Sequence, residues 1–156
     1  MPKLFSNRLL LIGSLTAIVL LIAAGIITWH ILNLPPAPPQ ARCGEVALFA
    51  GGSSQPYNKN AQQSEDCFYH AFQNCAAVTL DVHYMGVDTG SDTIYWPDRQ
   101  GNTCRIIEQF SSYGLVSSAN RTETDTCQGL ARKNGGLLFL RCDDSGDIFI
   151  PSGKTM

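Results

Sequence analysis

The sequence has no closely spaced pair of cysteines, no cysteine before residue 43 and no charged residue between positions 9 and 32. It also contains no Gly-rich phosphate-binding loop, no nucleophile elbow and no internal repeat. Structural zinc sites need pairs such as C-x-x-C or histidines at ligand spacing, and a P-loop needs its glycines. The protein classes defined by these motifs are therefore excluded.

Basic residues are also scarce. Lys3 and Arg8 are two of the 11 Lys and Arg, so nine remain beyond residue 40, where all 13 Asp and Glu lie. This part has a net charge of −4 and no basic stripe along it. A nucleic-acid-binding domain needs a basic patch, so we expect no nucleic-acid partner. No motif indicates a cofactor.

The uncharged segment Leu9–Leu32 predicts a transmembrane signal anchor. As a helix its 24 residues would rise about 36 Å, whereas the hydrocarbon core of a bilayer is about 30 Å thick. Because Lys3 and Arg8 precede it, the positive-inside rule places residues 1–8 in the cytoplasm. We expect a single-pass protein of the cell membrane, with an extracytoplasmic C-terminal domain.

Residues 33–63 are predicted to form a Pro-rich stalk and a flexible linker. Four prolines lie in the stretch NLPPAPPQAR and favour an extended polyproline conformation. The stretch GGSSQPYNKNAQQ is polar and rich in turn-forming residues. The folded extracytoplasmic domain is therefore expected at residues 64–156.

The cysteines predict disulfides. All six lie beyond the apolar segment, at positions 43, 67, 75, 104, 127 and 142. An even number on one side of a membrane is typical of a secreted-type domain in an oxidising compartment. Cys67 and Cys75 would lie about 12 Å apart on one helix, too far to be bridged. The expected pairs are Cys127–Cys142, Cys75–Cys104 and Cys43–Cys67.

The segment SEDCFYHAFQNCAA predicts an amphipathic helix. Ser64 is the expected N-cap, with Glu65 and Asp66 in the first turn. Five segments predict strands: VTLDVHYMGV, DTIYW, TCRIIEQFS, GLLFLRC and IFIP. In the third, Ile106 and Glu108 share a face, so a bulge is expected there. The polar residues 112–135 are predicted to form an irregular connection.

The predicted fold class is α+β. We expect an N-terminal transmembrane helix, then one amphipathic helix packed on a 4–5-stranded antiparallel sheet that disulfides stabilise. The order of these elements resembles that of cystatin-like and nuclear-transport-factor-like rolls. A likeness in element order implies an architecture and no function.

The stretch GVDTGSDTIYWPD resembles the way in which aspartic peptidases present a catalytic aspartate, here Asp88. Such enzymes need two carboxylates that share one proton. Asp144, in a second D-x-G triplet, could supply the other, or a homodimer could supply two copies of Asp88. Both triplets also lie between strands, where Asp and Gly favour turns. The turn is the preferred interpretation, and a homodimeric peptidase-like hydrolase is kept as an alternative.

Four aspartates in the same loops are candidate calcium ligands: Asp88, Asp92, Asp143 and Asp147. Carboxylates in external loops can bind Ca²⁺, although the residue order of an EF-hand is not present. Solvated turns are the alternative interpretation. His70 and His83 stand alone and are interpreted as structural residues.

These observations predict a membrane-anchored, extracytoplasmic, non-catalytic domain that binds a partner protein or an envelope component. The domain itself is expected to be monomeric. An accessory subunit of a membrane complex, acting through its transmembrane helix, is the alternative from a different class.

Overall fold

The computed structural model describes residues 20–26, 28–29, 36–49, 58–114 and 121–152. The chain forms two compact units, Met1–Pro36 and Ala37–Met156. In the first unit, residues 20–26 and 28–29 are helical. The hydroxyl of Thr28 donates to the carbonyl oxygen of Ala24 at 2.7 Å, which is a hydrogen bond within this helical segment.

Among the described residues, no helix has both the length and the apolar character that crossing a membrane requires. The transmembrane helix in the predicted fold class is thus not found. Of the predicted span, residues 9–19, 27 and 30–32 lie outside the described part of the chain.

The described residues of the second unit form a seven-stranded mixed sheet, shaped as a half-barrel, and one helix. Its elements are β1 (Arg42–Phe49), α1 (Ala61–Gln73), β2 (Thr79–Met85), β3 (Thr89–Gln100), β4 (Thr103–Gly114), β5 (Arg121–Lys133), β6 (Gly136–Cys142) and β7 (Gly146–Pro151). The strands lie side by side in chain order. Strands β1 and β2 are parallel and joined through α1, whereas every later pair is antiparallel.

The predicted fold class is therefore wrong: a 4–5-stranded antiparallel sheet was expected, and the sheet is mixed and has seven strands. The five predicted strands fall in β2, β3, β4, β6 and β7. Strand β1 lies in the segment predicted as stalk and linker, and β5 in the predicted irregular connection. β5 was missed because RTETDTCQGLARK has almost no apolar residue on either face, so it lacks the alternation that indicates a strand.

The helix also begins earlier than predicted. Its N-cap residue is Asn60, and Ser64 lies one turn inside the helix, where its hydroxyl donates to the carbonyl oxygen of Asn60 at 3.2 Å. As a result, Glu65 does not face solvent at the helix start. Its side chain is only 2% exposed, between α1 and the sheet.

The half-barrel curls around the helix. The ring centroids of Tyr95 on β3 and Phe139 on β6 lie 4.2 Å apart, although two strands separate β3 from β6 in the sheet. Flat strands about 4.8 Å apart could not bring these rings into contact. Phe68 of α1 packs on Phe139 at 6.0 Å. The helix therefore fills part of the concave face and forms the core with it.

The bulge expected near Glu108 is absent, because β3 and β4 pair without a break from Thr89 to Gln100. Ile107 is paired with Trp96, and both side chains are buried, at 4% and 3% exposed. Neighbouring residues of a strand point to opposite faces. Both faces of the sheet are therefore covered at this point, and two successive isoleucines need no bulge.

Three disulfides hold the unit together, as the cysteine pattern predicted. Cys43–Cys67 joins β1 to α1, Cys75–Cys104 joins the chain after α1 to β4, and Cys127–Cys142 joins facing positions of β5 and β6. These are the three pairs that were expected. Two of the three disulfides thus attach the helix to the sheet, one at the middle of the helix and one just beyond its C-terminal end.

Candidate functional site

The candidate catalytic residue, Asp88, lies in the turn between β2 and β3. The N–H of Gly86 donates to the carbonyl oxygen of Thr89 at 2.7 Å, which closes the turn, and the side chain of Asp88 is exposed. Asp144 lies in the turn between β6 and β7. Each D-x-G triplet is therefore found at a hairpin.

The strand register keeps Asp88 far from Asp144. Asp143, the neighbour of Asp144, accepts a hydrogen bond from the N–H of Thr126. Thr126 of β5 is paired with Ile107 of β4, which is paired with Trp96 of β3. Thr126 and Trp96 therefore lie at the same position along the strand direction. Thr89, next to Asp88, is seven residues from Trp96, or about 23 Å along the strand. The two aspartates of one chain are thus too far apart to share a proton.

Three of the four candidate calcium ligands are engaged within the protein. Asp143 accepts the N–H of Thr126 at 2.8 Å, and Asp147 accepts the N–H of Arg141 at 2.8 Å. Asp92 lies 2.6 Å from Nδ1 of His83. These carboxylates lie in two separate places, Asp92 on strand β3 and Asp143 and Asp147 around the turn between β6 and β7, unlike the converging oxygens of a calcium site.

Over the described ranges, one group of side chains has the spacing of a metal site, namely Glu108, Cys127 and Cys142. The two cysteines are joined in a disulfide. Since metals bind the thiolate form of cysteine, this group has no sulfur ligand to offer and is not a metal site.

A pocket of about 640 Å³ opens between β1 and the start of α1. Its lining is formed by Cys43, Gly44, Glu45, Asn58, Lys59, Asn60, Gln63, Ser64 and Cys67. The volume is in the usual range for small-molecule sites, roughly 300–1,000 Å³. The Cys43–Cys67 disulfide forms part of its wall.

The backbone of β1 and the side chain of Asn58 shape this pocket. The N–H of Ala47 donates to Oδ1 of Asn58 at 2.9 Å, and Nδ2 of Asn58 donates to the carbonyl oxygen of Glu45 at 2.6 Å. The amide thus takes the place of a neighbouring strand at the β1 edge. Gly44 has φ +131° and packs against Ser64, where a Cβ would collide with the serine side chain.

The polar groups of the pocket suit binding better than catalysis. Asn60 and Gln63 offer amides, and Lys59 and Glu45 offer one charge of each sign. The only hydroxyl in this lining, that of Ser64, donates to a backbone carbonyl within its own helix, so no base activates it. The lining cysteines form a disulfide and carry no free thiol.

A second polar group lies inside the half-barrel around Glu108, which is 6% exposed. The hydroxyl of Tyr95 donates to Oε1 of Glu108 at 3.1 Å, and Sγ of Cys127 lies 3.9 Å from Oε2. Burial raises the pKa of Glu108, the Tyr95 hydrogen bond lowers it, and Asp125 raises it further. Burial and the nearby Glu108 also raise the pKa of Tyr84.

Glu65 is a third buried polar group. Burial raises its pKa to about 7, against the lowering effects of a hydrogen bond from Ser152 and the charge of Arg132, while Asp66 raises it. The hydroxyl of Ser152 donates to Oε2. Oε1 is buried, with no hydrogen-bond partner in the described structure. Arg132 pairs with Asp66 and lies 4.8 Å from the ring centroid of Tyr69.

The sequence interpretation missed the pocket because it placed β1 and Asn58 in a linker. The run Val46–Phe49 is the signal that could have indicated a strand there. The sequence interpretation also did not identify Glu65 and Glu108 as buried, although it placed Glu108 on the same face of the strand as Ile106. Burial of a carboxylate depends on what packs over it, which the local pattern does not contain.

Comparisons with known proteins give no relative for this chain. No protein-family model, no curated protein and no solved structure matches it significantly.

Proposed function

We propose that residues 37–156 form a non-catalytic extracytoplasmic domain that binds a partner or an envelope component in the pocket between β1 and α1. The observation that carries this proposal is the lining of that pocket. It combines a ligand-sized volume with amides, one cation and one anion, and its single hydroxyl is bonded to backbone.

The expected ligand is neutral overall or zwitterionic, and rich in hydrogen-bonding groups. The charges of Lys59 and Glu45 cancel, so a ligand with several charges of one sign would be repelled by one of these two side chains. The amides of Asn60 and Gln63 can both donate and accept hydrogen bonds. Oligosaccharide fragments of an envelope and short zwitterionic peptides both have this chemistry.

NMR titration of the isotope-labelled protein tests the proposal. A panel would contain neutral oligosaccharides, a zwitterionic peptide and a polyanion of similar size. We expect saturable shifts at Lys59 and Gln63 with a neutral or zwitterionic member, weakened about tenfold by Gln63→Ala, which is about 1.4 kcal/mol of binding free energy. Lys133→Ala, at the last residue of β5, is the matched control. Shifts only with the polyanion, or none near the pocket, would contradict the proposal.

The proposed compartment is extracytoplasmic, because three disulfides need an oxidising environment. Single-pass anchoring at the cell membrane stays a prediction, since much of residues 9–32 lies outside the described part of the chain. Protease added to intact cells should digest the domain. Digestion only after lysis would show that the domain is inside.

A further inference from the structure

We infer that the Cys43–Cys67 disulfide is a thiol-exchange site, at which a small thiol attacks Sγ of Cys67 and opens the pocket between β1 and α1. This inference assigns a modification site to a bond that otherwise has a structural role. Its consequence for binding rests on the proposed function of the pocket, whereas the exchange chemistry does not.

Access to sulfur separates the three disulfides. Both sulfurs of Cys127–Cys142 belong to residues that are 0% exposed. Cys75 and Cys104 are both partly buried, whereas Cys67 is exposed and Cys43 is partly buried. Because exchange requires a thiolate to reach one of the two sulfurs, Cys67 is the most accessible point of attack among the six cysteines.

The pocket provides the approach for a small molecule. Cys43 and Cys67 both line the space of about 640 Å³, so a thiol of a few heavy atoms can enter it and lie against the disulfide. The concave wall favours such a small thiol over the thiol of a folded protein. We therefore assign a low-molecular-weight thiol as the reactant.

The step balances as thiol–disulfide exchange. The incoming thiolate forms a bond to Sγ of Cys67, the Cys67–Cys43 bond breaks, and its electron pair leaves on Sγ of Cys43 as a thiolate. A second thiol molecule then attacks the mixed disulfide, which releases the Cys67 thiolate and the oxidised small-molecule disulfide. Lys59 lines the same pocket, and a nearby cation stabilises a cysteine thiolate.

The opened form should stay folded. Cys75–Cys104 still joins the chain after α1 to β4, and the buried Cys127–Cys142 still joins β5 to β6. The contact that is lost is the covalent one between β1 and the middle of α1. Only the wall of the pocket is therefore released.

The test uses the full chain under native conditions with β-mercaptoethanol as the small thiol. After acid quenching and alkylation, mass mapping without reduction identifies each product. We expect the first product to carry the mercaptoethanol adduct on Cys67 and the alkyl group on Cys43, formed at least about tenfold faster than opening of Cys75–Cys104. An adduct on Cys43, earlier opening of another disulfide, or reaction only with a protein dithiol would overturn the inference.

Two variants separate the roles of charge and of the pocket. Lys59→Gln should slow the first step about three- to tenfold, Lys59→Arg should restore it, and Lys133→Gln should leave it unchanged. A first step as fast in Lys59→Gln as in the natural protein would show that Lys59 does not stabilise the leaving thiolate. NMR signals of residues 58–63 should shift on opening while those of β7 do not. Because no pocket ligand is used, these results are independent of the proposed binding function.

Discussion

Glu108 of β4 lies directly opposite Asp125 of β5, so two carboxylates face each other on the concave side of the half-barrel. Directly opposed residues of an antiparallel pair lie on the same face. Burial and its acidic neighbours Asp143, Asp144 and Glu123 raise the pKa of Asp125. Placing like charges opposite each other destabilises a sheet, so this pair reduces the stability of the domain at neutral pH.

Asp125→Asn should therefore stabilise the domain at pH 7 by about 0.5 kcal/mol. Both carboxyl groups have pKa values above the ordinary range, so their contribution to stability is present at low pH and is lost as the pH rises through those values. The stabilisation by Asp125→Asn should thus vanish in acid. Urea unfolding at several pH values measures the free energy of unfolding of both proteins. The control is Asp88→Asn, at an exposed carboxylate in the turn between β2 and β3; an equal gain there would show that net charge and not this pair is responsible.

Glu65→Gln should remove the pH dependence that the titration of Glu65 gives to the free energy of unfolding. The pKa of Glu65 is about 7 in the folded protein against 4.5 as its ordinary value. Its stabilising contribution is therefore complete below about pH 4.5 and is lost as the pH rises through about 7. The stability of Glu65→Gln relative to the natural protein should rise by about 3 kcal/mol between acidic and mildly alkaline pH.

Thermal or urea unfolding across this pH range provides the measurement for Glu65. Asp88→Asn is the control, because Asp88 is an exposed carboxylate in the turn between β2 and β3. A constant difference between Glu65→Gln and the natural protein at every pH would show that Glu65 does not titrate near neutrality.

Asn58→Ala should expose the edge of β1. The substitution removes the acceptor for the Ala47 N–H and the donor for the Glu45 carbonyl, which we expect to cost about 1–2 kcal/mol. An unprotected strand edge also pairs with other chains, so light scattering should detect association at high concentration. Asn60→Ala, whose side chain makes no capping hydrogen bond, should change stability by less than about 0.5 kcal/mol. Equal effects of both substitutions would disprove a special role of Asn58.

Asp88→Asn should change the free energy of unfolding by no more than about 1 kcal/mol, since an exposed turn residue tolerates asparagine. Gly86→Ala is the informative contrast. A Cβ at Gly86 would lie 2.6 Å from the carbonyl oxygen of Thr89, and such overpacking costs about 1–3 kcal/mol. The purified protein should cut no protein substrate in acid. Proteolysis that disappears in Asp88→Asn would support the peptidase alternative and contradict the non-catalytic proposal.

Several features of this protein could be predicted from local sequence because each depends on residues close together in the chain. The alternation in VTLDVHYM determines β2, and the D-x-G triplets determine two hairpin turns. The amphipathic pattern around Phe68 and Phe72 determines α1 apart from its first turn. The formation of disulfides follows from an even number of separated cysteines, although the helix that was expected to hold Cys75 ends at Gln73.

Tertiary structure decided the sheet and the candidate site. Strand β1 is parallel to β2 only because α1 crosses between them, and β5 is a strand only because β4 and β6 hold it on both sides. Curling of the sheet brings Tyr95 onto Phe139 and buries Glu108. The pocket needs β1 and α1 together. These features arise from contacts between residues distant in the chain, whose burial and partners no local pattern of polarity contains.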